Sequence, residues 1–143
     1  MGDRQQMLAN AIQQITRFAT IKRSSSVYVT AAWGNVRQPD FYNQAVELET
    51  LLSPEELLQE VLSIERQLGR ERKEKWGSRT IDIDLLLFGE VVLQTPTLTL
   101  PHPELPNRRF ALVPLNELAP ETIHPVLKKT FRQLLADCID PLK

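Results

Sequence analysis

Thr80-Ile81-Asp82-Ile83-Asp84-Leu85-Leu86-Leu87-Phe88 alternates apolar and acidic residues, then turns continuously apolar. That pattern predicts a strand with one wet face in its first half and a buried second half. Gly89-Glu90 behind it reads as a two-residue hairpin turn into Val91-Val92-Leu93. Upstream, Ser53-Pro54-Glu55-Glu56 has the form of a capping box with proline at the first helical position. The helix it opens carries Leu57, Leu58, Val61, Leu62, Ile64 and Leu68 on one side, and Gly69 is expected to stop it. Residues 41–50 alternate as a strand, and Val27-Tyr28-Val29-Thr30 predicts another from about Ser25. Between them, residues 31–40 have turn chemistry and a loop tryptophan, Trp33. Leu8, Ala11, Ile12, Ile15 and Phe18 predict a first amphipathic helix near Asp3 to Phe18. After a loop holding Pro96, Pro101, Pro103 and Pro106, short helices are expected near Arg109–Leu118 and Phe131–Cys138. This order predicts an α+β sandwich, helices packed on one side of a mainly antiparallel sheet.

A chain of 143 residues suits one domain, and the expectation is a single domain over 1–143. With 42% hydrophobic and 24% charged residues it can build a core, which excludes a disordered or collagen-like chain. The longest apolar run is Leu85–Phe88, far short of the roughly 20 residues that cross a bilayer. The polar start, Met1-Gly2-Asp3-Arg4, predicts no signal peptide. Cys138 is the single cysteine, so no internal disulfide can form and a cytoplasmic setting is expected. A net charge of -1 excludes a globally basic nucleic-acid binder. The charge is unevenly spread, however. Between Arg66 and Arg79 stand six bases (Arg66, Arg70, Arg72, Lys73, Lys75, Arg79) against two acids, Glu71 and Glu74.

Asp82 and Asp84 are two residues apart, so on a strand they share a face at about 6.6 Å along it. One reading is a solvent-facing pair of acids. The other is a site for a hard cation, which takes carboxylate oxygens together with phosphate oxygens. Phosphoryl transfer needs both metals and guanidinium groups around the charge that moves, and the basic run lies just upstream. A D-x-D motif alone would support many enzymes.

The longer string Lys75-Trp76-Gly77-Ser78-Arg79-Thr80-Ile81-Asp82-Ile83-Asp84-Leu85-Leu86 is more specific. It resembles the signature of the 6-hydroxymethyl-7,8-dihydropterin pyrophosphokinase (HPPK) family of folate biosynthesis. Gln38-Pro39-Asp40-Phe41-Tyr42-Asn43, Leu68-Gly69-Arg70-Glu71-Arg72, Leu100-Pro101-His102-Pro103 and Asn107-Arg108-Arg109-Phe110 resemble further elements of that family, in the same order. The resemblance implies a ferredoxin-like α/β sandwich and transfer of pyrophosphate from ATP to the pterin alcohol, with AMP released.

By that resemblance Asp82 and Asp84 would hold magnesium, two ions being expected with ATP, and Asp82 would also lie near the pterin hydroxymethyl group. Arg70 and Arg79 match phosphate-contacting, catalytic arginines. Arg72 and Lys73 match bases of a loop that closes over the substrates. Glu65, Trp76, His102 and Arg108 match residues on the ATP side. Asn43 matches a hydrogen-bonding partner of the pterin ring, Thr30 a backbone contact to it, and Phe41 and Phe110 the aromatics that sandwich it. Taken singly, the two phenylalanines read as core more readily than as a stacking pair, and His102 would suit an exposed loop. His124 matches no family role and reads as structural. No nucleic acid or membrane is expected among the partners.

Family members open with a short apolar strand and a G-S-N-(apolar)-G turn, and Met1 aligns with the apolar residue of that turn. The first strand and its glycine contact to the pterin are therefore expected to be missing. An open slot in the sheet would favour association through strand edges, whereas a longer form would be monomeric. The alternatives to the pyrophosphokinase are a truncated nucleotide-binding pseudoenzyme and a nucleotidyltransferase. The latter usually has a Gly-Ser helix start before its aspartates, and none precedes Asp82.

Overall fold

The computed structural model describes residues 2–30, 41–71 and 81–139, with backbone alone at 2, 3, 30, 41, 70 and 71. It shows helices α1 (Gly2–Ile15), α2 (Pro54–Glu71), α3 (Arg109–Leu118) and α4 (Phe131–Asp137), and a 3-10 turn at Leu105–Asn107. The strands are β1 (Thr20–Ser24), β2 (Tyr28–Thr30), β3 (Phe41–Asn43), β4 (Val46–Glu49), β5 (Leu93–Gln94) and β6 (Thr99–Leu100). They pair as β1 with β4, β2 with β3 and β5 with β6. The fold is mixed α+β with small antiparallel sheets, as expected. Among the described residues no helix is long and apolar enough to cross a membrane. The chain forms two compact units, Met1–Lys22 with Leu48–Asp84, and Arg23–Glu47 with Leu85–Lys143.

The first unit is built on two amphipathic helices. Met7, Ala11 and Ile15 repeat at four-residue spacing on α1 and pack with Ile64 and Leu68 of α2. The face thus centres one residue away from the expected one, and Leu8 and Ile12 sit half-buried at its edge. Phe18, Ala19, Ile21, Leu48, Ile81 and Ile83 close the cluster. The expected capping box is present: the Ser53 N–H donates to Glu56 Oε1 (2.8 Å) and the Glu56 N–H to Ser53 Oγ (3.2 Å). Gly69 does not end the helix, which runs on to Glu71. An interior glycine costs only about 1 kcal/mol against alanine, and burial of Leu68 one residue earlier offsets that.

The second unit gathers Leu105, Leu112, Phe131, Leu134 and Cys138 into a core, with Leu86, Leu87 and Leu115 packed against it. Helices α3 and α4 lie within a residue of their expected bounds. Thr130 caps α4 in a box with Gln133, a motif the sequence reading passed over. The strand expected over 41–50 is two strands instead. The buried Ser25 explains the break: its hydroxyl accepts the Ala45 N–H (2.9 Å) and donates to the Ser26 carbonyl (2.7 Å). Gln44 Nε2 also donates to the Ser25 carbonyl (2.9 Å). The expected strand over Ser25–Thr30 shortens to β2 for the same reason, and β1 was not foreseen.

The stretch after Thr80 keeps its alternation but enters no ladder among the described residues. Ile81 and Ile83 are half-buried, and Asp82 and Asp84 are exposed. The Gly89-Glu90 turn does form, with Phe88 C=O accepting from the Val91 N–H (2.9 Å) and Gly89 at φ +56°. A positive φ at the first central position is the type II′ geometry that glycine permits. The pairing that follows is not the expected one, because β5 pairs with β6 around a Thr95–Leu98 turn.

Candidate active site

In the first unit three carboxylates are electrostatically linked. Glu65 projects from α2, and its Oε2 accepts the Ile83 N–H at 2.5 Å. Ile83 is the residue between Asp82 and Asp84, so the glutamate holds the D-x-D tripeptide at its centre by the backbone. Burial pushes the Glu65 carboxyl above its ordinary range; the Ile83 hydrogen bond opposes this, and the charges of Asp82 and Asp84 add to the rise. The site is therefore a concentration of negative potential around two exposed carboxylates.

Among the described residues no group of three or more His, Cys, Asp or Glu side chains converges on one point. Asp82 and Asp84 nonetheless suit a magnesium ion, which typically takes one or two carboxylates and completes its octahedron with phosphate oxygens and water. The exposure of both carboxylates, two residues apart on a backbone that Glu65 holds, is the observation that supports this.

In the second unit, β2 and β3 bring together the residues expected on the pterin side. The register is Tyr28↔Asn43, Val29↔Tyr42 and Thr30↔Phe41. Thr30 is thus opposite Phe41, and Asn43 lies two residues along β3. Helix α3 packs against both strands and carries Phe110 in its first turn. The Arg108 guanidinium, at the N-cap of α3, lies over the Phe110 ring, 5.8 Å from its centroid, which is cation–π geometry. The neighbouring Arg109 does something else: its Nη2 donates to the Cys138 carbonyl (2.8 Å) at the end of α4. His102 is half-buried, and its Nδ1 accepts the Glu104 N–H (3.1 Å), which leaves Nε2 as the nitrogen able to meet a ligand.

Of the remaining expected site residues, Arg70 lies in the last turn of α2, described by backbone alone. Arg72, Lys73, Trp76 and Arg79 lie outside the described residues, as do the loop at 31–40 and Trp33. The sequence reading missed Glu117, whose carboxylate accepts from Ser26 and Tyr28. Nothing local to Glu117 signals those partners, about ninety residues away in sequence.

The 7,8-dihydro-6-hydroxymethylpterin-pyrophosphokinase (HPPK) family matches residues 1–120. The chain belongs to this family. Three relatives named 2-amino-4-hydroxy-6-hydroxymethyldihydropteridine pyrophosphokinase show how much is shared. That of Aquifex aeolicus is 39% identical, over 93% of this chain and 83% of the relative. That of Synechocystis is 46% identical, over 92% and 69%, and that of Methylorubrum extorquens 40% identical, over 99% and 89%. An HPPK family member with relatives so named favours the pyrophosphokinase over the pseudoenzyme and the nucleotidyltransferase. HPPK enzymes use ATP.

Proposed function

We propose that this chain transfers the pyrophosphoryl group of ATP to 6-hydroxymethyl-7,8-dihydropterin in the cytoplasm, as a step of folate biosynthesis. The pterin hydroxymethyl oxygen attacks the β-phosphorus and loses its proton. The bond from the β-phosphorus to the oxygen it shares with the α-phosphate breaks, and AMP leaves with that oxygen. The observation that supports this reading best is the exposed Asp82/Asp84 pair with Glu65 fixing the backbone between them.

Each site residue then has a task. Asp82 and Asp84 would hold Mg²⁺, two ions being expected with ATP, and the metal would supply positive charge beside the triphosphate. Asp82 also stands by the hydroxymethyl group. Arg70, Arg79, Arg108 and His102 grip phosphate oxygens, the arginines in the bidentate manner an ammonium cannot copy. Arg72 and Lys73 bring positive charge with the loop that closes, and Glu65 and Trp76 serve the nucleotide side. Phe41 and Phe110 stack on the two faces of the pterin, Asn43 hydrogen-bonds its edge, and the Thr30 backbone meets it. Most of the rate comes from positioning and charge neutralisation.

The test is product analysis with ATP, Mg²⁺ and the pterin alcohol. AMP and the pterin diphosphate should appear together, and both should vanish in Asp82→Ala and Asp84→Ala. Release of inorganic pyrophosphate would point to the nucleotidyltransferase, and nucleotide binding without turnover to the pseudoenzyme.

A further inference from the structure

Glu117 lies seven residues beyond Phe110 on α3, so the two share one face of the helix to within about 20°. At its end of that face Glu117 receives three groups from the segment entering β2. The Tyr28 hydroxyl donates to Oε1 at 2.6 Å, and the Ser26 N–H reaches both carboxylate oxygens at 3.1 and 3.2 Å. Ser26 Oγ adds a contact of 3.3 Å to Oε2. Tyr28 is directly opposite Asn43 in the β2–β3 ladder, where cross-strand neighbours share a face. One residue along α3, the Leu118 carbonyl accepts from Arg23 Nη1 (2.5 Å), whose Nε binds Glu47 (2.7 Å).

We propose that Glu117, acting through Tyr28 and Ser26, is a positioning residue of the pterin subsite: it locks the ladder bearing Asn43 to the helix bearing Phe110. The inference rests on the function proposed above, which assigns Asn43 and Phe110 to the pterin. Glu117 is exposed, and exposed polar links add little to stability. Their effect is on geometry: four contacts on one carboxylate set where the last turn of α3 meets β2. The Tyr28 bond holds Glu117 ionised and Tyr28 protonated, its phenol pushed up and the carboxyl pulled down, so the link persists at neutral pH. A shift of this junction moves the β2–β3 ladder against α3 and so changes the separation between Asn43 and Phe110.

The experiment uses Tyr28→Phe, which deletes one hydroxyl, and Glu117→Ala, which removes the acceptor. Dissociation constants for 6-hydroxymethylpterin and for α,β-methylene-ATP are measured beside full steady-state kinetics and melting temperature. The pterin Kd and KM should rise about fivefold in each variant, the scale of one hydrogen bond's worth of positioning. The nucleotide Kd, kcat and melting temperature should stay near wild type, and the double variant should be no worse than Glu117→Ala. Unchanged pterin affinity in a wild-type-active protein overturns the clamp alone. Equal losses for both ligands with a lower melting temperature overturn it too, since that is a structural role. Wild-type protein that binds no pterin and releases no AMP removes the function reading and the clamp with it.

Discussion

Glu65 Oε2 accepts the Ile83 N–H, so one helix side chain sets the backbone from which both acidic side chains of the D-x-D tripeptide project. The arrangement places a half-buried, raised-pKa carboxyl behind two exposed ones. In the proposed reaction, the outer pair meets metal and phosphate and the inner carboxylate keeps that pair in register.

Replacing Glu65 separates these tasks. Glu65→Gln keeps an oxygen that can accept the Ile83 N–H, whereas Glu65→Ala leaves that donor without it. Supporting groups of this kind typically contribute about 10–100-fold. Glu65→Ala is therefore expected to lose turnover within that range and Glu65→Gln markedly less. Steady-state AMP release checks this. Equal losses in both would mean that the charge of Glu65, and not its hydrogen bond, matters.

Asp84→Asn should separate chemistry from folding. Asp84 is exposed, so an amide of the same shape costs little packing. The change also removes one of the charges that push Glu65 up. A fall in kcat of about 10²-fold or more is expected, as for loss of a directly placed electrostatic group, with melting temperature equal to or above wild type. A melting temperature several degrees lower would show that Asp84 is structural.

Local chemistry was legible in the sequence, and remote partners were not. Ser53 and Glu56 announce a helix start because both partners of the capping box lie within four residues. The α3 bounds follow from its short apolar pattern, which survives Pro114 inside the helix. The break at Gln44-Ala45 could not be read, because Ser25, which makes it, lies twenty residues away. Alternation alone puts Asp82 and Asp84 on one face, and both side chains are exposed. Alternation does not reveal that the intervening N–H goes to Glu65 instead of a neighbouring strand. The adjacent pair Arg108-Arg109 reads as one basic feature, yet one guanidinium covers Phe110 and the other holds the end of α4.

The two capping boxes offer a matched comparison. Ser53→Ala at α2 and Thr130→Ala at α4 each remove the side-chain acceptor of an N3 amide. Each should cost about 1 kcal/mol in urea denaturation. Thr130 adjoins Phe131, which is 2% exposed in the core of its unit. Its loss should therefore also disturb that packing and exceed the Ser53 effect. A larger cost at Ser53 would contradict this ordering.

His124 adds a pH-dependent contribution to stability. It is 4% exposed, and its Nδ1 accepts the N–H groups of Val126 (3.2 Å) and Leu127 (3.0 Å). Its own N–H and C=O bond Lys129 and Lys128, closing a tight loop in which Lys128 takes φ +61°. The imidazole is therefore neutral with its proton on Nε2, because a proton on Nδ1 would face two donors. Burial pulls its pKa below the ordinary histidine value, which is about 6.5 in an unfolded chain. Below that pH the unfolded chain takes up a proton that the folded one refuses, so stability falls as the solution is acidified. Above it the contribution is present in full. In His124→Asn the side-chain oxygen can still accept both N–H groups but does not titrate. The variant should be less stable than wild type at pH 7.5, by about 1 kcal/mol or more for the lost packing. The gap should narrow steadily toward pH 5, as wild type loses what the variant never had. Urea midpoints at four pH values test it, and a gap that stays constant would show that His124 does not change protonation on unfolding.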